Sequence, residues 1–353
     1  MNSLRQKKMI AGIAFGILCL GLTSCKHNIL TMKYKENMEV EESLSDKVEK
    51  SKKDAIQGTE IVEIYIMTPS YINPFFKAEA EAITKKLKEY GYQVRVVSHT
   101  DNTKEQEELF KEAVENGAAA IICDNADSKL SAEMIAKAKE QGTITILVDR
   151  GIEEEGIAFA QILSDNYQGA TLVVKQFIKE MEGEGKYIEL LGLESDENAT
   201  IRSDAFHAYL DMTERMEMIA RERADWDLKK AEEIVTDLLE KNPDVKGIIC
   251  GNDTMALGAL NAVKDVELDH EVIITGIDGS DDVIDEIKKG NIKATVLQPV
   301  DKIADFAVTE IHNYLTEKQE TPVEVQHISC VLVTEENADN VSNFEYRESE
   351  EKE

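Results

Sequence analysis

The chain has 353 residues, enough for two ordinary domains with a core in each, and 42% of them are apolar, as in a globular protein. Its charge is lopsided: 40 Lys and Arg against 70 Asp and Glu leave a formal −30. A surface this acidic repels phosphate backbones and anionic headgroups, and no basic stripe interrupts it beyond the amino terminus, which excludes nucleic acid as a partner.

At the amino end, Arg5, Lys7 and Lys8 precede an apolar run over 9–22, shorter than the roughly 20 residues a membrane-spanning helix needs. The run ends in Leu22-Thr23-Ser24-Cys25, which resembles the lipobox of bacterial lipoproteins. That resemblance implies a signal peptide over 1–24, cleavage before Cys25 and acylation of Cys25, which gives a firmer membrane anchor than a single acyl chain. The next stretch is polar and rich in Glu and Lys, and 25–59 is expected to be a flexible tether reaching roughly 30 Å.

From there, short apolar β-branched runs alternate with amphipathic stretches. Strands are predicted over 61–67, 92–97, 119–123 and 143–148, with helices over 75–90, 104–116 and 130–140. The alternation restarts after Ser164 with helices over 168–181, 199–212, 254–263 and 281–288 and strands over 187–191, 247–250, 272–277 and 293–297. Strands this apolar between helices predict an α/β chain of parallel sheets covered on both faces, in two doubly wound lobes rather than one very wide sheet. The residues 337–353 are read as an acidic tail, almost wholly charged from Glu345 onward. Beyond Cys19 and Cys25, the remaining Cys123, Cys250 and Cys330 each sit in an apolar run and read as small buried hydrophobes, not as a disulfide or metal set.

Polar residues stand just past the strands: Asp149 and Arg150 after 143–148, Asn252 after 247–250, Asp278 after 272–277 and Gln298 after 293–297. Ligands of open α/β sheets bind beyond the carboxyl ends of the strands, so these positions predict a site. With Asn73 and Arg202 the set holds two acids, two guanidiniums and three amides, whose formal charges cancel and which together suit vicinal hydroxyls of a neutral polyol. Phe75, Phe76 and Trp226 would supply flat walls for the C–H faces of a sugar ring. Each residue also has a local alternative: Asn73 and Asn252 as helix caps, Pro74 as a first helical residue, Asp278-Gly279 as a turn.

Taken in order, Asn73-Pro74-Phe75-Phe76, Asp149-Arg150, Ser164-Asp165-Asn166, Arg202 with Phe206, Asn252-Asp253-Thr254-Met255-Ala256-Leu257-Gly258-Ala259, Gly276-Ile277-Asp278-Gly279 and Ala294-Thr295-Val296-Leu297-Gln298 closely resemble the type I periplasmic binding proteins of sugar ABC transporters, in particular the ribose-binding branch. The resemblance runs from about residue 61 to 334. It implies an N-lobe of 60–164 plus 299–327 and a C-lobe of 165–298 plus 328–336, joined by three hinge crossings. It also implies ligand contacts from Asn73, Phe75, Phe76, Asp149, Arg150, Arg202, Trp226, Asn252, Asp278 and Gln298. The function implied is capture of a monosaccharide outside the cytoplasm by a monomer without cofactor or metal, at the outer face of the membrane or in the periplasm. Delivery goes to an ABC permease; the alternative is a sensor subunit signalling to a membrane histidine kinase or chemoreceptor. Pro69 stands where the branch tends to have serine, Trp226 where ribose-type members have phenylalanine, and the loop 194–198 is unusually acidic. No catalytic motif of an enzyme is found.

Overall fold

The computed structural model describes residues 62–316, 318 and 323–347. The expected signal peptide, Cys25, the tether and the last six residues of the chain lie outside these. Runs of Ile, Val and Ala build a first sheet in which every strand is parallel: β1 (Glu63–Thr68), β2 (Gln93–Ser98), β3 (Ala120–Cys123), β4 (Ile144–Val148), β5 (Ala160–Ser164) and β11 (Val325–Ile328), in the order β11-β5-β4-β3-β1-β2. All residues of β3, β4 and β5 are buried, as helices on both faces require. These helices are α1 (Pro74–Glu89), α2 (Thr103–Glu115), α3 (Ser131–Glu140) and α9 (Val300–Leu315).

The second sheet repeats the pattern with β6 (Glu184–Leu191), β7 (Arg215–Arg223), β8 (Val245–Cys250) and β9 (Ile273–Thr275), parallel in the order β7-β6-β8-β9. Single parallel bridges, Thr275 to Ala294 and Asp278 to Leu297, continue it to β10 (Thr295–Leu297), which pairs antiparallel with β12 (Val331–Val333). Its helices are α4 (Asn166–Glu180), α5 (Glu197–Leu210), α6 (Leu228–Lys241), α7 (Asp253–Val266) and α8 (Asp281–Lys288).

The chain passes between the lobes three times: from β5 into α4, from β10 into α9, and from β11 into β12. The first and third crossings are bonded to each other. Asp165 N donates to Ile328 O at 2.8 Å, and the Gln168 amide exchanges two hydrogen bonds with the Cys330 backbone at 3.0 and 3.2 Å. Cys123, Cys250 and Cys330 are free and buried.

The expected tail from residue 337 is a correction. Residues 337–347 fold into a 3-10 turn (Ala338–Asn340) and a hairpin of β13 (Val341–Ser342) and β14 (Glu345–Tyr346). Ala338, Val341 and Phe344 recur every third residue and are buried, so one face is apolar although the segment is acidic overall.

Candidate functional site

Three residues that close strands toward the space between the sheets carry positive φ: Asp149 (56°), Trp226 (61°) and Asp278 (147°). Non-glycine backbone of this kind costs about 1–3 kcal/mol per residue and persists where its surroundings over-determine it. Those surroundings are visible. The Asp149 carbonyl accepts from Asn198 Nδ2 at 3.1 Å. Beneath the Asp278 turn, the buried Asp253 carboxylate accepts from Gly279 N, Ser280 N and Ser280 Oγ at 2.7–2.9 Å and from Thr295 Oγ1 at 2.6 Å. Trp226 donates its indole N–H to Asp196 Oδ2 at 3.1 Å and lies on Gly192, where a Cβ would stand 1.9 Å from indole Cζ2.

Gly192→Ala is therefore expected to push the indole off its seat, at a cost of about 1–3 kcal/mol in stability. Trp226 is the only tryptophan, so its fluorescence reports the displacement directly. An unchanged emission spectrum and unchanged urea midpoint would show that the glycine is not the seat.

The structure brings Asn73, Phe75, Phe76, Asp149, Arg150, Arg202, Trp226, Asn252, Asp278 and Gln298 together around one cavity of about 250 Å³, with Asp196 and Asn198 beside them. The first five come from the first lobe and the next four from the second, with Gln298 at the crossing between β10 and α9. Asn73 and Asn252 also cap α1 and α7, each accepting a backbone N–H through Oδ1 (3.0 and 2.9 Å), so each lines the cavity while it caps a helix. A larger groove of about 530 Å³ between α2 and α3 is lined by Phe110, Val114 and Met134 among lysines and glutamates, without a comparable convergence of buried polar groups.

Arg202 is held rigidly. Its Nε donates to Asn166 Oδ1 and its Nη1 to Gly251 O, both at 2.8 Å, with Nη1 3.8 Å from Asp278 Oδ1 and the guanidinium 5.5 Å from the Trp226 ring centre. Arg150, 1% exposed, donates from Nη1 to Asp101 Oδ1 (2.6 Å) and Asn125 O (3.1 Å). Its Nε stands 3.0 Å from Asp196 Oδ2 and 3.4 Å from Asp124 Oδ1, and its guanidinium lies 5.1 Å from the Phe76 ring centre. Gln298 Nε2 donates to Asp278 Oδ1 at 2.9 Å. Asp149 Oδ1, Arg150 Nη2 and Gln298 Oε1 are buried with no hydrogen-bond partner among the described residues.

The expected charge balance is a second correction. Asp101, Asp124 and Asp196 join Asp149 and Asp278 around two guanidiniums, so carboxyl groups outnumber cations. Burial, then Asp196, raises the Asp149 carboxyl to about 6 against the pull of Arg202 and Arg150. Burial, then Asp253, pushes Asp278 well up against Arg202, and burial likewise raises Asp124. The site has no surplus positive charge to draw an anion.

The sequence reading missed Asp196, Asn198 and the carboxylates behind Arg150. A signal existed for two of them: the acidic loop 194–198 caps α5 through Asp196, which accepts from Asn198 N at 2.9 Å. Nothing local marked Asp101 or Asp124, which meet Arg150 only through the parallel stacking of β2, β3 and β4. The two lobes touch at this place, where Ser128 N donates to Ser195 O at 3.0 Å and Asp196 reaches Arg150.

Two parallel-sheet lobes with a polar, buried cleft at the carboxyl ends of both sheets define a bilobal binding protein. Comparison with known proteins agrees: a family described as "Periplasmic binding protein domain" matches residues 64–319. A protein of Paraburkholderia graminis named "D-apiose import binding protein" is 43% identical over 284 residues, covering 80% of this chain and 91% of the relative. A "Ribose import binding protein" of Bacillus subtilis is 28% identical over 248 residues, covering 70% and 79%. A solved solute-binding protein of Actinobacillus succinogenes with bound D-allose superposes with a TM-score of 0.75 at 24% identity, covering 79% of this chain and all of that one. The chain belongs to the type I periplasmic binding proteins of sugar ABC transporters. It is a non-enzymatic, extracytoplasmic sugar-binding protein, and none of the described helices is long and apolar enough to cross a membrane.

Proposed function

We propose that the cleft captures one neutral monosaccharide, a pentose such as D-apiose or D-ribose ahead of a hexose, and that the closed protein hands it to the permease of an ABC importer. The ten cleft side chains act as the ligand contacts in this reading, and acylated Cys25 keeps the protein at the outer face of a membrane. The carrying observation is the buried convergence of guanidiniums, carboxyl groups and amides between aromatic rings, with Asp149 Oδ1, Gln298 Oε1 and Arg150 Nη2 left for a ligand. A hydroxyl both donates and accepts, so a polyol answers all three; an anionic ligand would meet an excess of carboxyl groups. Among neutral sugars, a pentose is the first choice. The relatives that are 43% identical and named for D-apiose import support the same choice.

Open and closed arrangements of the lobes exchange about the three crossings, and the sugar favours the closed one by bridging groups that belong to different lobes. A thermal-shift panel of neutral pentoses, hexoses and polyols beside sugar acids and sugar phosphates tests the reading, since a ligand at a hundred times its Kd adds about 2.7 kcal/mol. Stabilisation by a charged ligand and by none of the neutral sugars would overturn it.

Binding should also depend on pH through Asp149, whose carboxyl titrates near 6. Hydroxyl donors favour its ionised form, so affinity is expected to fall as pH drops through 6, approaching tenfold per unit, with a proton released on binding near pH 6. The same group acts oppositely on folding. Its folded value lies above its unfolded one, so its contribution to stability grows as pH falls and is lost as pH rises through 6. Calorimetry at pH 5 and 7.5 in buffers of different ionisation heat reads both the affinity and the proton; equal affinities would remove Asp149 from the ligand.

A further inference from the structure

The carboxyl-terminal hairpin carries a residue in the wrong conformation for its type. β13 and β14 are joined by Asn343 and Phe344, with φ of 54° and 59°. Two-residue hairpin loops of this left-handed kind take Asn-Gly by preference, because the second position tolerates no Cβ without strain. Here the second position is a phenylalanine, and it is 5% exposed.

Its ring meets Phe75 edge-to-face at a centroid distance of 5.7 Å, and Phe75 meets Phe76 in the same way at 5.8 Å. Phe75 and Phe76 line the cavity from α1, in the first lobe, whereas Phe344 does not line it. The hairpin itself is tied to α8, in the second lobe. Asn343 N donates to Asp281 Oδ1 at 2.6 Å, Lys288 Nζ pairs with Asp339 Oδ1 at 3.2 Å, and Val341 is buried in one cluster with Val283, Ile284 and Ile287. The contact between Phe344 and Phe75 therefore spans the two lobes outside the cavity, and the lobes cannot separate there without parting the rings.

We propose that Phe344 is a clasp and positioning residue: anchored to the second lobe by its hairpin, it holds the cavity wall residue Phe75 of the first lobe and biases the protein toward the closed form. Backbone strain at the turn tip is retained because only this conformation delivers the ring across the lobe boundary. The inference rests on the sugar-capture reading only for its effect on affinity; the effect on closure is independent of any ligand.

Phe344→Gly separates the ring from the fold, since glycine suits the turn and leaves the hairpin intact. Spin labels on Lys111→Cys in the first lobe and Lys241→Cys in the second, both exposed, report the distance between lobes. Without sugar, Phe344→Gly is expected to shift the distance distribution toward the open form, while the amide protection of β13 and β14 stays as in the parent. D-Apiose or D-ribose, whichever binds the parent, should then bind roughly tenfold more weakly, chiefly through faster dissociation. Phe344→Leu should recover part of both effects. An unchanged sugar-free distance distribution in Phe344→Gly overturns the clasp whether or not a sugar is found. If neither sugar binds the parent while the distance still shifts, the clasp stands and the choice of ligand falls.

Discussion

Arg150→Ala is expected to lose about 3–5 kcal/mol of folding stability at neutral pH and all measurable sugar binding. The guanidinium is 1% exposed and has Asp101, Asp124 and Asp196 within 3.4 Å of its nitrogens. Without it those carboxylates keep their desolvation cost and lose the cation that offsets it, and removing one partner from a buried charged group costs far more than the group contributes when intact. The loss should shrink as pH falls, because Asp124 and Asp149 are already raised by burial and take up protons readily. Urea denaturation at pH 7.5 and 5.5 measures both the loss and its relief. Arg150→Lys should recover part of the stability but little of the binding, since an ammonium cannot reproduce the planar fork that serves Asp101, Asn125 O and Asp196 together. An Arg150→Ala protein as stable as the parent at pH 7.5 would show that the carboxylates do not depend on it.

Arg202→Ala should weaken the sugar by about 2–4 kcal/mol, roughly 30- to 1,000-fold in Kd, with a smaller effect on the fold. Two of its nitrogens are spent on protein, on Asn166 and the Gly251 carbonyl, which fixes the plane of the guanidinium between Trp226 and Asp278. Such pre-orientation removes the entropy a free arginine would lose on binding, which is how a few polar contacts suffice for a small ligand. Removal also loosens a chain of amides, because Asn166 donates to Asn198, and Asn198 holds the strained Asp149 backbone. Calorimetry separates the two effects: a lost enthalpy with unchanged thermal unfolding places Arg202 on the ligand, and unchanged affinity takes it out of the site.

Strand and helix order was legible where one periodicity dominated. The buried strand β3 is an unbroken apolar run, and α8 falls on the residues predicted for it, 281–288. What escaped was the buried strand β5, the helices α6 and α9, and the periphery. β7 lies at a sheet edge with none of its residues buried, and its arginines and glutamates hide the pattern of a strand. The segment after residue 337 looked charged because charge was counted along the chain, while its burial depends on every third residue facing α8.

The sequence alone determined the α/β class, the doubling of the sheet and the places where polar residues follow strands, because these rest on local periodicity and on the rule that such sheets bind at their carboxyl ends. Only the tertiary structure decided that Asp196 crosses to Arg150, that five carboxyl groups crowd two guanidiniums, and that Phe344 reaches Phe75. Those facts depend on contacts between residues far apart in the chain, across β-strand order and lobe closure. Burial and charge coupling are properties of the packed molecule, not of any segment of it.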